Sequence, residues 1–302
     1  MSYQVSEEER KYLEQYHIEA FQRPSIATDI VVFSIMNDGK TDNYRKPADK
    51  ALKVLLVKRA NYPYMNMWSL PGGFCRPDED VFDTAKRELF EETNIRRSYL
   101  ALAGIFGEKD RDPRGWIISN TYMALVNADE YEVRTGTGAW EAKWFKLDID
   151  KKHIEKEIAG ESIAIKNRYE LRLTNAQEDL RIGGKIDEYK EFKDYHETVR
   201  YDIVENEEVA FDHLKILLHT FLEMRHAAEH DDKLPFDLMG ETFSLTQLQN
   251  TFEIVLGHKL ITPNFRRRIA PMVIETDASI EGEGHRPAKL FKRNLQAFSD
   301  DM

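Results

Sequence analysis

Residues 72–95 read GGFCRPDEDVFDTAKRELFEETNI, and their charged positions fall at fixed intervals. Gly73 is followed by Glu79 after five intervening residues, then by Arg87 and Glu88 after seven more. If the segment is helical, Glu88, Glu91 and Glu92 are spaced i, i+3, i+4 and share one face. Like charges at that spacing repel, so a solvated helix gains nothing from them. A divalent cation reverses the sign. Mg2+ takes oxygen ligands and commonly combines one or two carboxylates with waters and phosphate oxygens. The pattern predicts a helix from about 81 to 93 whose Glu88, Glu91 and Glu92 bind Mg2+ (or Mn2+), with Arg87 bracing the glutamate four positions on. Gly72 and Gly73 allow backbone to approach phosphates closely. Asn94 falls where the helix should end in a left-handed residue, a conformation Asn tolerates better than other non-glycine residues. The competing reading is an acidic solvated helix with accidental spacing. Cys75, the single cysteine, reads as a small filler with no base beside it and cannot form an internal disulfide.

Around this helix lie β-rich runs: TDIVVFSIM and LKVLLVKRA joined by a polar loop, then YLALAGIFG and WIISNTYMALV around EKDRDPRG, then AWEAKWFKL. Strands on both sides of one helix make an α+β domain over 23–148, after a short N-terminal helix within 1–22. Residues 149–207 form a charged insertion whose aromatic content favours ordered structure, with RYELRL as a strand. A strongly periodic amphipathic helix spans 208–231 as a connector. In it, His213 reads as a hydrogen-bonded structural residue.

The final unit, 232–298, reads as helix, turn, helix and β-hairpin. Ser244 with Gln247 makes a capping box, Gly257 ends the first helix, and Thr262 with Pro263 opens the second. Net charge over the chain is −11, which excludes a general nucleic-acid coat and leaves DNA contact to local basic patches. Two exist, KLITPNFRRR and HRPAKLFKRN, each without an acid. Cations on a recognition helix and a wing suit phosphates and base edges; a protein-contacting module with a charged face is the plainer alternative.

The glutamate stretch resembles the Nudix signature, matching every defining position except the second glycine, which is Asn94. That resemblance implies an α/β/α sandwich acting on nucleoside diphosphates linked to another moiety. VLLVKRANYPYMNMWSLPGGF and FGEKDRDPRGWIISNTYMALV resemble the Nudix domains of regulators of NAD and sugar metabolism. In that family the segment matching Arg111, Asp112, Pro113 and Arg114 belongs to an ADP-ribose-sensing region. Arginine forks suit phosphate oxygens, although DRDPRG by itself is a polar turn. FSLTQLQNTFEIVLG, NFRRRI and RPAKLF resemble the winged-helix domain of the same regulators. The resemblance implies DNA contacts from Asn264, Arg266, Arg267, Arg268, Arg286 and Lys289.

The expected fold is thus a Nudix α/β/α sandwich followed by a winged helix-turn-helix domain. The expected function is an ADP-ribose-responsive transcriptional regulator of NAD-related or sugar metabolism, acting as a homodimer on a palindromic double-stranded operator. Such regulators often have a degraded catalytic box, whereas this one keeps Glu79, Arg87, Glu88, Glu91 and Glu92. Pyrophosphohydrolase activity on ADP-ribose or a related nucleotide sugar is therefore the alternative, with the C-terminal unit used for dimerisation. In it Glu92 accepts the proton of an attacking water, with Glu141 as rival. No apolar run approaches the roughly 20 residues that span a bilayer, and MSYQVSEEERKYLEQYH lacks the marks of a signal peptide. A cytoplasmic location with no membrane partner is expected.

Overall fold

The computed structural model describes residues 5–38, 49–136, 138–160, 162–282 and 285–299, with backbone alone for 280–282, 285–287 and 299. A short helix, α1 (Glu7–Glu14), opens the described chain with Ser6 as its N-cap. β1 (Ser25–Asn37) and β2 (Lys50–Arg59) pair antiparallel, and β3 (Trp68–Ser69) and β4 (Gly72–Phe74) add short ladders to β2 and β1. Then come α2 (Val81–Thr93), β5 (Tyr99–Phe106), β6 (Ile117–Leu125) and β7 (Ala139–Ala159), with β6 parallel to β1. β8 (Ser162–Asn175), β9 (Leu180–Lys193) and β10 (His196–Glu207) continue the sheet antiparallel, giving the order β10-β9-β8-β7-β2-β1-β6-β5.

Side chains alternate across a strand, and β1 uses both faces. Ile30 and Val32 turn to one side, where Ala85 and Leu89 of α2 pack with Tyr122 and Ala124. Val31, Phe33 and Ile35 turn to the other, against α3 (His213–His230) through Leu214, Leu217 and Phe221. The result is the expected α/β/α sandwich. Each such aliphatic or aromatic burial stabilises by about 1.5–3 kcal/mol, which fixes both helices on the sheet.

Residues 149–207 are the outer part of this sheet. The expected boundary at 148 falls inside β7, whose first half is packed and whose residues 151–159 are exposed and pair with β8.

The C-terminal unit holds α4 (Leu245–Leu256), α5 (Thr262–Ile269), the hairpin β11 (Val273–Gly282) and β12 (His285–Arg293), and α6 (Leu295–Ser299). Its core is Phe236, Phe243, Leu248, Phe252, Phe265 and Ile269. Ser244 and Gln247 make both bonds of the capping box, and Gly257 takes the left-handed cap at φ 77°. One expectation is corrected: Thr262 does not cap α5. The ladder begins one residue earlier, with Phe265 N–H donating to the Ile261 carbonyl, so Pro263 sits in the first turn where its missing N–H is harmless. The sandwich core also includes Leu234, Leu238 and Val255, so the apolar interior runs without a break from the sheet through α3 into the C-terminal unit. Among the described residues, no helix is long and apolar enough to cross a membrane.

Candidate functional site

α2 delivers the glutamates, and both of its ends are set by side chains. Asp80 accepts from the Asp83 N–H at 2.8 Å. Asn94 ends the helix at φ 62°, its N–H donating to Phe90 O and its amide to Glu132 O. β4 runs alongside, and its glycines allow close approach, Gly72 to backbone and Gly73 to the Glu88 carboxylate. A Cβ on Gly72 would stand 2.2 Å from Thr28 O, and one on Gly73 2.3 Å from Glu88 Oε1.

The charged residues of the helix divide into two groups. Arg87 donates to both oxygens of Glu79, at 2.6 and 2.9 Å, to Glu88 at 2.5 Å and to Glu91 at 3.1 Å. The Arg87 hydrogen bonds hold Glu79 ionised, its pKa down at about 2. Arg87 and Glu79 are therefore a brace that orients the helix face. Glu91 is drawn outward by Arg87 and Arg76, and its side chain is 46% exposed. Glu92 instead turns inward, accepting from the Gly72 N–H at 3.2 Å. Burial, joined by the neighbouring Glu88 charge, pushes its pKa up to about 7 against the Gly72 hydrogen bond.

Of the three carboxylates expected to hold metal, Glu88 and Glu91 share the Arg87 Nη1, and Glu92 takes the Gly72 N–H. His/Cys/Asp/Glu triplets with ligand atoms within 4.8 Å do not include Glu88, Glu91 and Glu92 among the described residues. Glu88, set against the glycine strand, and Glu92 fit a divalent cation, because it relieves the repulsion that raises Glu92 and leaves coordination positions for water and phosphate. Glu141, the rival base, is not among the residues lining the cleft beside Glu92. It lies on β7 between Lys143 and Lys58, and chiefly the hydrogen bond from Lys143 holds its pKa down.

Beside Glu92 opens a cleft of about 270 Å3, lined also by Gly72, Gly73, Arg111, Asp112 and Arg114. The Arg111 side chain is only 5% exposed and is committed within the protein: it donates to both oxygens of Asp212, at 2.9 and 2.7 Å, and to Asp29 at 3.4 Å. Those partners raise its pKa although burial works against its charge. Asp112, also buried, grips Arg114 by two side-chain bonds, 2.9 and 2.6 Å, and aims that guanidinium over the rings of Phe74 and Phe211.

Among the cleft residues to which sequence reasoning gave no site role are Arg59, Asp29, Phe211 and His213. Arg59 stacks on the same Phe211 ring, 4.7 Å from its centre, donates from Nε to Pro63 O at 2.8 Å, and makes no ion pair among the described residues. Burial first, then the Arg114 cation, lower its pKa, against the Glu92, Asp112 and Asp29 charges, which raise it. Asp29 accepts from Ser119 at 2.5 Å, and His213 Nδ1 accepts from the Leu70 N–H at 2.9 Å. The hydrogen-bonded role expected of His213 holds, but the bond lies in the cleft wall. VKRANYPY and AFDH contain Arg59, Phe211 and His213 without any local signal of their meeting.

In the C-terminal unit, Asn264, Arg266 and Arg267 are exposed on α5. Arg268 differs: it forks onto Asp232 just beyond α3, with Nε 2.6 Å from Oδ2. Lys289 pairs with Glu275 on the facing strand. The Arg286 side chain lies outside the described residues.

Two family models match the chain, the NUDIX domain over residues 42–159 and the NrtR DNA-binding winged helix domain over residues 235–292. The ADPR responsive transcriptional repressor NtrR of Acinetobacter baylyi is 29% identical over 294 residues, covering 96% of this chain and 90% of the relative. The ADP-ribose pyrophosphatase of Methanocaldococcus jannaschii is 38% identical over 100 residues, 33% of this chain and 58% of that protein. Two crystal structures share the fold at 24% identity. A MutT/nudix family protein from Enterococcus faecalis gives a TM-score of 0.64 over 95% of this chain and 93% of that one. Shewanella oneidensis NrtR gives 0.58 over 91% and 96%.

Proposed function

The chain belongs to the NrtR-type family, in which a Nudix domain is joined to a winged-helix DNA-binding domain, and from that premise we propose an ADP-ribose-responsive transcriptional repressor. The relative from Acinetobacter baylyi, alike over nearly its whole length, bears that description. The observation that carries the proposal is the position of α3. At its start His213 belongs to the cleft wall, where it accepts from the Leu70 N–H, and Asp212 beside it holds the cleft residue Arg111. Its other end shares a core with Leu234, Leu238 and Val255 of the winged-helix unit. A ligand alters DNA affinity only through differential binding to two arrangements, and one helix that touches both sites is a physical carrier for that difference.

The cleft suits a nucleotide sugar of the ADP-ribose type. Arg59 and Arg114 bring two guanidinium cations to a pyrophosphate, with Phe211 between them; Arg114 spends its Nε and Nη2 on Asp112, so its Nη1 side is the one turned to ligand. On the DNA side, Asn264, Arg266 and Arg267 face outward for the groove, with Lys289 on the wing, and a homodimer reads a palindromic operator. Arg268 serves the joint with Asp232. Gel-shift with duplex DNA from upstream of the gene's own neighbourhood tests this reading. Retention should fall in Arg266→Ala/Arg267→Ala, and unchanged binding would reject α5 as the recognition helix.

Hydrolysis is a second reading that one observation favours, the Glu92 carboxylate turned into the cleft wall and held by the Gly72 N–H at 3.2 Å. A positioned carboxylate within reach of the attacking water can serve as general base. Mg2+ bound by Glu88 and Glu92 would supply Lewis acidity toward the pyrophosphate. Glu92, oriented by the Gly72 N–H, accepts a proton from the water that adds across the phosphoanhydride. ADP-ribose with Mg2+ should then release AMP, and a rate no higher than that of Glu92→Gln would exclude turnover.

A further inference from the structure

The last turn of α3 carries a group that neither reading uses: His226, Glu229 and His230, all exposed. His226 and His230 stand one turn apart and Glu229 three positions after the first, so the three project from one side of the helix. One ligand atom of each lies within 4.8 Å of the other two, the only such triplet among the described residues. The two rings are 4.7 Å apart, centre to centre. His230 Nδ1 lies 2.9 Å from the His226 carbonyl oxygen. A carbonyl only accepts, so Nδ1 carries the proton and the Nε2 lone pair is left to bind. A backbone carbonyl on the second ring nitrogen is the usual support of a metal-bound imidazole.

The geometry points to a site for a borderline transition-metal cation, Zn2+ in the first place, on the C-terminal turn of α3. Two imidazoles and a carboxylate with a water in the fourth position are a donor set that Zn2+ accepts. Imidazole nitrogen selects against Mg2+, so this site and the Nudix carboxylates take different ions. The negative end of the helix dipole adds to the attraction. The place gives such an ion a consequence. It cross-links the turn that would otherwise fray first, immediately before Asp232, the residue that holds Arg268 of α5.

Equilibrium dialysis of the full chain against Zn2+ near pH 7, with Mg2+ in excess, tests the site. One Zn2+ per chain is expected, and it should persist in Glu88→Gln/Glu92→Gln. Affinity should weaken at least about tenfold in His226→Ala and in His230→Ala, both exposed positions whose replacement leaves the helix packing untouched. Amide exchange at residues 227–231 should slow on adding Zn2+ to the wild type and not to the double histidine variant. Absence of uptake by the wild type, or uptake that survives His226→Ala/His230→Ala, overturns the site.

Discussion

Replacing Glu92 by Gln should stabilise the protein, and the gain should depend on pH. The buried Glu92 carboxyl has its pKa raised from an ordinary 4.5 to about 7, by burial first and then by Glu88 against the Gly72 hydrogen bond. The folded state therefore binds this proton more tightly than the unfolded state, and stability falls as pH rises from about 4.5 to about 7. At about 1.4 kcal/mol per tenfold change, the full cost above pH 7 is about 3 kcal/mol. Gln keeps an oxygen for the Gly72 N–H and carries no charge, so Glu92→Gln removes the cost and retains the bond. Urea unfolding followed by tryptophan fluorescence should show variant and wild type equally stable at about pH 4, and the variant ahead by up to about 3 kcal/mol at about pH 8. Mg2+ should narrow the gap at the higher pH, because an ion that binds only the folded carboxylates stabilises the wild type. A gap absent at the higher pH, or equal at both, would refute the assignment of Glu92 as the inward-facing, proton-holding carboxyl.

Loss of either cleft cation, Arg59→Ala or Arg114→Ala, should weaken ADP-ribose binding by about 1.5–3 kcal/mol in calorimetry, the usual worth of a charge-assisted hydrogen bond; an unchanged Kd would remove these residues from the phosphate site. Arg266→Ala/Arg267→Ala should lower the salt dependence of DNA binding by about two in log–log slope, about one for each phosphate contact, whereas Arg268→Ala should act mainly through the joint with Asp232. At the end of α2, Asn94→Ala should cost about 1 kcal/mol because Ala resists φ 62°, and Asn94→Gly should cost less or stabilise. Thermal melts of the two variants that coincide would contradict the capping role.

Local chemistry was the legible part of this chain. Ser244, Gln247 and Gly257 act through neighbours within one or two helical turns, as does the Asn94 backbone, so their residue types announce their conformations. The glutamate spacing likewise reveals one helix face. What spacing cannot reveal is where a flexible side chain goes among competing partners: Arg76, fifteen residues before Glu91, donates to it at 3.4 Å. Long-range pairings were hidden for the same reason. Arg111 meets Asp212 from 101 positions away, and the Arg59–Phe211–Arg114 stack combines three separate segments. The extended β7 ladder was obscured by its composition, because its outer residues are charged and exposed and show no alternating apolar face.

Coupling between cleft and winged helix through α3 is the central claim, and one titration addresses it. Anisotropy of a labelled operator duplex should be followed against protein with and without saturating ADP-ribose, with ligand occupancy checked by calorimetry in the same buffer. The account predicts a change in apparent DNA affinity of at least about fivefold. Superimposable DNA isotherms from ligand-bound and ligand-free protein would contradict it.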